Sequence, residues 1–243
     1  MESIQLEREI YRRYQSVLER VNAAASRAGR NPADVRMVVV TKTHPVELIR
    51  AVLQAGAMHL GENYAEEAVS KKLALESPPG VNWHMIGHVQ SRKAAMVVEH
   101  FDLVHSLDSL KLANRFNRFA DERGRRIAVL LECNVSGEES KFGWPAWVEA
   151  NWEALLKPFA QVLELAAVEV RGLMTMAPFL PDPEQARPYF QRMKRLQGYL
   201  AERLPQSNWA ELSMGMSADY EVAIEEGATW VRIGTAITGS RAL

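Results

Sequence analysis

Apolar positions in the first thirty residues recur at alternating steps of four and three: Ile10, Tyr14, Val17, Val21, Ala24 and Ala28. That spacing places them on one face of a helix. Gly29 follows as a C′ residue, and Pro32 bars continuation. The charged positions Glu7, Arg8, Arg12, Arg13, Glu19 and Arg20 read as a solvated face. The period then changes. Residues 35–41 (VRMVVVT) are β-branched and almost continuously apolar, as in a strand buried on both faces. Pro45 opens a helix at a favoured first-turn position, Leu48, Ile49, Val52 and Leu53 give its stripe, and Gly56 ends it. The unit repeats. Further strands are predicted near 58–61, 83–87, 103–106, 127–134, 168–174, 210–214 and 230–234, with helices near 64–75, 91–99, 108–123, 145–166, 184–203 and 217–226. Gly124 and Gly227 stand where C′ residues are expected.

Eight strands alternating with helices in about 250 residues is the size and rhythm of a (β/α)₈ TIM barrel. An open doubly wound sheet shares the rhythm, but neither G-x-G-x-x-G nor a Walker A pattern occurs. Pro78-Pro79-Gly80 and 178–183 read as loops, so residues 1–243 are expected to form a single α/β domain with an extra N-terminal helix.

Composition narrows the partners. Lys+Arg at 29 against Asp+Glu at 30 argues against a broadly basic nucleic-acid surface. Cys133 is the one cysteine, so no intrachain disulfide framework or multi-cysteine zinc site is available. No apolar run reaches the roughly 18 residues of a membrane span. The stretch after Met1 has no basic segment followed by an apolar one. The cytoplasm is the expected location.

In a barrel, function lies at the C-terminal ends of strands. There the chain places Thr41-Lys42, Glu62-Asn63, Gly87-His88, Asn134-Val135-Ser136, Met174-Thr175, Ser213-Met214-Gly215 and Gly234-Thr235. Lys42 directly follows a buried strand. Desolvation there favours a neutral amine, the form Schiff-base chemistry with an aldehyde requires; the alternative is a lysine that snorkels to solvent. Ser213 to Ser217 leads into a helix whose N–H groups and dipole favour an anion, and Ile233-Gly234-Thr235-Ala236 offers a second donor-rich turn. Barrels often hold phosphate at these two loops; the alternative is a pair of ordinary turns. Arg232 either faces a ligand or pairs with a carboxylate. A barrel gathering His59, His84, His88 and His105 at its mouth would make a metal-dependent hydrolase, although H-E-x-x-H is missing. Cys133 reads as a small buried hydrophobe, and Trp144, Trp147 and Trp152, at helix-like spacing, as packing.

Several motifs occur in one order: Val40-Thr41-Lys42-Thr43, Gly61-Glu62-Asn63-Tyr64, His84-Met85-Ile86-Gly87-His88 with Lys93, Ser106-Leu107-Asp108-Ser109, Asn134-Val135-Ser136-Gly137-Glu138 with Ser140-Lys141-Phe142-Gly143, Arg171-Gly172-Leu173-Met174, Leu212-Ser213-Met214-Gly215-Met216-Ser217 with Asp219 and Glu221, and Val231-Arg232-Ile233-Gly234-Thr235-Ala236-Ile237. In these stretches the chain closely resembles the pyridoxal phosphate homeostasis family (the YggS/PROSC family), relatives of the alanine racemase N-terminal barrel.

The resemblance implies a barrel of the fold-type III class that binds pyridoxal 5′-phosphate (PLP). Lys42 matches the lysine of the internal aldimine, and Ser213, Met214, Gly234 and Thr235 fall in the phosphate-binding stretches. Arg232 matches the arginine facing the pyridine nitrogen, and Asn63 a pocket residue. Glu66, Arg92 and Thr238 depart from the family pattern, which touches surface or partner details. The racemases' second base is a tyrosine from an additional β-domain of the partner subunit, and a chain that stops at Leu243 is expected to lack it. The resemblance thus implies a monomeric cytoplasmic carrier that holds PLP, without ordinary turnover, for vitamin B6 homeostasis and delivers it to apo-PLP enzymes. A narrow-specificity racemase is the alternative.

Overall fold

Val38 and Val39 are fully buried because the strand that carries them, β1 (Arg36–Val40), has a parallel neighbour on each side. In the computed structural model, which describes residues 2–75 and 79–239, the other strands are β2 (His59–Glu62), β3 (Asn82–Met85), β4 (Leu103–Leu107), β5 (Ile127–Asn134), β6 (Trp144–Pro145), β7 (Val168–Met174), β8 (Glu211–Met216) and β9 (Trp230–Ile233). The order is β4-β3-β2-β1-β9-β8-β7-β5, and a β4–β5 pairing closes the ring. Every pairing is parallel. The result is an eight-stranded parallel barrel; the two-residue β6 lies outside the ring, against the end of β5.

The outer layer contains α1 (Glu2–Arg27), α2 (Val46–Gln54), α3 (Ala65–Ala74), α4 (Ala94–His100), α5 (Leu110–Asp121), α6 (Glu153–Leu163), α7 (Arg187–Arg203), α8 (Tyr220–Glu225) and α9 (Thr235–Thr238). Among the described residues only the four-residue α9 follows β9. That would leave the ring of helices open between α8 and α2. The N-terminal helix α1 fills the gap and packs on α2, α8 and α9. Ile10, Val17, Val21 and Ala24 are buried there, as the stripe predicts, while Tyr14 and Ala28 are half-buried. The charged face is only partly solvated. Arg20 pairs with Glu221 at 2.5 Å, and Arg27 with Glu221 and Glu225 at 3.0 and 2.9 Å.

The segment 145–166 departs from the expected long helix. Trp144 and Pro145 pair with Cys133 and Asn134, and only Glu153–Leu163 is α-helical. Trp152 is buried and its Nε1 donates to the Ala146 carbonyl at 3.1 Å. Trp144 packs edge-on against Phe159, whereas Trp147 is exposed. Strand β8 runs on to Met216, and α8 starts only at Tyr220.

Inside the barrel, Val38, Leu103, Ala128, Leu130, Met174 and Trp230 form a cluster distinct from the one beneath the helices. At the N-terminal mouth the Arg36 guanidinium lies 3.8 Å from the Trp230 ring centroid and pairs with Glu211 at 2.8 Å. Glu211 also accepts from Trp230 Nε1 at 2.9 Å. Farther in, the interior turns polar, with His84, His105, Ser213 and Arg232 all buried.

If the apolar stripe holds α1 in the ring, Ile10→Ala costs about 2–5 kcal/mol in equilibrium denaturation. Glu221→Ala, which deletes exposed ion pairs, costs under about 1 kcal/mol. The reverse ranking would mean that the ion pairs anchor the helix.

Candidate functional site

The strand ends of one face converge on a cleft of about 890 Å³, lined among others by Lys42, Asn63, Glu132, Ser217, Arg232 and Thr235. Lys42 enters it half-buried from the turn after β1. The next residue, Thr43, has φ 64°. A β-branched residue in that left-handed region carries strain on the order of 1–3 kcal/mol. Its surroundings hold it there. The Thr43 N–H donates to Glu67 Oε1 at 2.5 Å. Buried Lys71 spans Glu67 (2.7 Å), Glu62 (2.7 Å) and the Thr41 carbonyl (2.6 Å). The Thr41 hydroxyl donates to Glu62 Oε1 at 2.6 Å. Both neighbours of Lys42 are thereby tied to β2 and α3. Asn63 reaches the cleft because residue 87 is glycine: a Cβ there would lie 2.7 Å from the Asn63 Cα and carbonyl oxygen.

Arg232 sits at the floor, 3% exposed. Its Nη1 donates to Ser213 Oγ at 2.6 Å and its Nη2 to the Thr175 carbonyl at 2.8 Å. Among the described residues no carboxylate forms an ion pair with it. Burial draws its pKa down to about 10, opposed by the charges of Asp219 and Glu132. Glu132, also 3% exposed, lines the same cleft. Burial first, and then the charge of Asp108, push its carboxyl up to about 7, with Arg232 pulling the other way.

At the other end, the Ser217 hydroxyl accepts from the backbone N–H groups of Gly234 (3.2 Å) and Ala236 (3.3 Å). The turn before it is tight: a Cβ at Gly215 (φ 90°) would lie 2.6 Å from the Ala223 Cβ. The Asp219 carboxylate takes the Met216 N–H at 2.6 Å.

Five of the predicted residues line the cleft together: Lys42, Asn63, Arg232, Gly234 and Thr235. Ser213 and Met214 do not. Ser213 is fully buried inside the barrel beneath Arg232, and Met214 packs in the outer core. Extending β8 to Met216 at a period of two leaves Ser217 as the hydroxyl that reaches the cleft. The expected helix N-terminus is likewise displaced, since α8 begins beyond Asp219.

Glu132 escaped sequence reasoning because it lies inside an apolar run; a charge within a strand buried on both faces was the available signal. Lys141 also lines the cleft, paired with Glu138 and donating to the Met176 carbonyl at 3.2 Å. Of the departures from the family pattern, Glu66 pairs with Lys93 on the rim and Arg92 donates to Gln90 at 2.9 Å. Thr238 is buried, so it is not a surface position. The histidines do not gather at the mouth. His88 pairs with Asp108 at 2.8 Å, while His59, His84 and His105 bond to one another within the barrel. Among the described residues no three His, Cys, Asp or Glu side chains are arranged to hold a metal ion. Cys133 is buried, and burial raises its thiol pKa far above the ordinary range.

Residues 13–242 match the family model of the alanine racemase N-terminal domain. A pyridoxal phosphate homeostasis protein of Aquifex aeolicus is 42% identical over 229 residues, 94% of this chain and 97% of that protein. The structure of PipY from Synechococcus elongatus with PLP bound matches at a TM-score of 0.79 and 37% identity, over 92% of this chain and 100% of that one. An alanine racemase of Clostridium difficile shares the fold at a TM-score of 0.66 and 14% identity, over 93% of this chain and 57% of its own.

Glu132 gives a signed pH dependence. Its carboxyl binds a proton more tightly in the folded chain than at its ordinary value of 4.5. Its contribution to stability is full below that value and is lost as the pH rises through about 7. In the ligand-free protein, wild type should lose stability relative to Glu132→Gln by on the order of 3 kcal/mol across this window. Parallel stability curves for the two proteins would contradict the assignment.

Proposed function

Because the chain belongs to the family of the alanine racemase N-terminal domain, in which its relatives include pyridoxal phosphate homeostasis proteins, we propose that it binds PLP in this cleft and buffers or delivers it in vitamin B6 homeostasis. One observation carries the reading. PLP offers an aldehyde, a ring nitrogen and a phosphate, and a single cleft presents an amine (Lys42), a guanidinium (Arg232) and a cluster of small donors (Ser217, Gly234, Thr235).

In this reading Lys42 Nζ joins the aldehyde carbon as a Schiff base. The C=N bond replaces the C=O bond, and one water leaves. Bound there, PLP supplies an aldehyde carbon and a conjugated ring. The Lys71–Glu62–Glu67 network holds the Lys42 turn in place. The phosphate would be taken by the Ser217 and Thr235 hydroxyls and by the Gly234 and Ala236 N–H groups, which it would draw away from Ser217. Arg232 donates toward the ring nitrogen, and a cation at that position opposes its protonation. An unprotonated ring is the weaker electron sink, which suits a site that retains the cofactor over one that turns over amino acids. The rim carries Tyr64, Phe142 and Phe179, 58%, 52% and 87% exposed, leaving the cleft open for transfer to apo-PLP enzymes. We place the protein in the cytoplasm as a monomer, on the family resemblance. Among the described residues no helix is long and apolar enough to cross a membrane.

Mixing with PLP, borohydride reduction and peptide mapping should find the adduct on Lys42, and Lys42→Ala should abolish it. An undiminished adduct on another lysine would overturn the assignment. Ser217→Ala and Thr235→Ala should each weaken PLP binding by about 1–3 kcal/mol, read by equilibrium titration. Deuterium exchange at the α-carbon of an amino acid, at an enzyme-like rate and dependent on Lys42, would replace the carrier with a racemase.

A further inference from the structure

Three histidines on neighbouring strands form a line through the barrel interior. His59 Nδ1 lies 3.0 Å from His84 Nε2, and His84 Nδ1 lies 2.8 Å from His105 Nε2. His105 Nδ1 lies 2.8 Å from Ser213 Oγ, the atom that accepts from Arg232 Nη1. The line starts at the N-terminal mouth, where His59 is half-buried against Trp230, and ends at the guanidinium lining the cleft.

Each contact needs one proton. Burial pulls His84 and His105 well below the ordinary imidazole value, and His59 is lowered too, by burial and then by the nearby Arg36 against Asp102 and Glu211. Each ring then carries one N–H. With three neutral rings only two arrangements fill all the contacts. In one, Ser213 donates to His105 Nδ1, and the protons of His105, His84 and His59 sit on Nε2. In the other every proton points the opposite way and Ser213 accepts from both His105 and Arg232. Its own hydroxyl proton then has no acceptor, since Ser213 is fully buried and bonded to these two side chains alone among the described residues. A buried donor without a partner is penalised, so the first arrangement is preferred.

We propose that His59, His84 and His105 form an oriented imidazole relay that makes Ser213 a polarised acceptor for Arg232 and so positions the guanidinium for the cofactor. Chains of hydrogen bonds strengthen their members in this way. The three histidines and Ser213 are positioning residues. Their orientation is a property of the protein alone; their service to the cofactor rests on the PLP reading above.

Nitrogen-15 NMR of histidine-labelled protein without PLP tests the relay directly. The expected result at neutral pH is protonation at Nε2 on all three rings; a proton on Nδ1 of His84 or His105 would overturn the proposal. In His59→Leu, His84 Nε2–H loses its acceptor, the two arrangements become comparable, and His105 should show mixed tautomers although it does not contact residue 59. An unchanged His105 signal would mean that nothing travels along the line. In Ser213→Ala, borohydride should still trap PLP on Lys42, with affinity about tenfold weaker and the absorption band shifted, and Ser213→Thr should recover most of the loss. A trapped adduct with unchanged affinity and band would remove the link to Arg232. Absence of any adduct in wild type would instead refute the PLP reading and leave the tautomer result to decide the relay.

Discussion

A guanidinium that is 3% exposed must be given acceptors by the protein that buries it. Arg232 receives two, the Ser213 hydroxyl and the Thr175 carbonyl. Each then requires support. Thr175 is held by its own hydroxyl on the Cys133 carbonyl at 2.7 Å. Ser213 leans on His105, and the polar core follows from there. Because no carboxylate neutralises Arg232 directly among the described residues, the nearest acids, Glu132 and Asp219, act only through space. The cleft keeps a positive floor and a carboxyl that titrates near neutrality.

The walls obey a second constraint. Lys42 has to leave a buried strand and turn into the cleft at once, and Thr43 takes up the turn at a positive φ. The compensation lies next door, in a lysine that satisfies two carboxylates and a carbonyl. The same motif that supplies Asn63 supplies Glu62, so one short segment of β2 and its loop both lines the cleft and braces the lysine turn.

Much of this was legible in the sequence. The short, almost continuously apolar runs located all eight barrel strands, and the strand-end polar residues marked the face on which the cleft opens. Lys42, Asn63, Arg232, Gly234 and Thr235 needed only that placement to meet in one cleft. Ser213 was misplaced because a two-residue error in where β8 stops exchanges the barrel interior for the cleft. The long helix expected over 145–166 ignored that Trp144 and Pro145 extend the edge of β5 before any helix begins. The line of histidines was invisible for another reason. His59, His84 and His105 are 25 and 21 residues apart, and only the pairing of β2 with β3 and of β3 with β4 brings them into contact.

The position of α1 has a consequence for biosynthesis. Strand β1 takes β9 as a neighbour, with Arg36 opposite Trp230, and α1 rests on α8 and α9. These contacts join the two ends of the sequence, so the ring cannot close until translation has passed β9. Until then α1 has only α2, of its three neighbours, to cover its apolar stripe. Such high contact order slows folding and prolongs the exposure of aggregation-prone surface. The emerging chain therefore keeps the β9 edge of β1 unpaired until β9 is made.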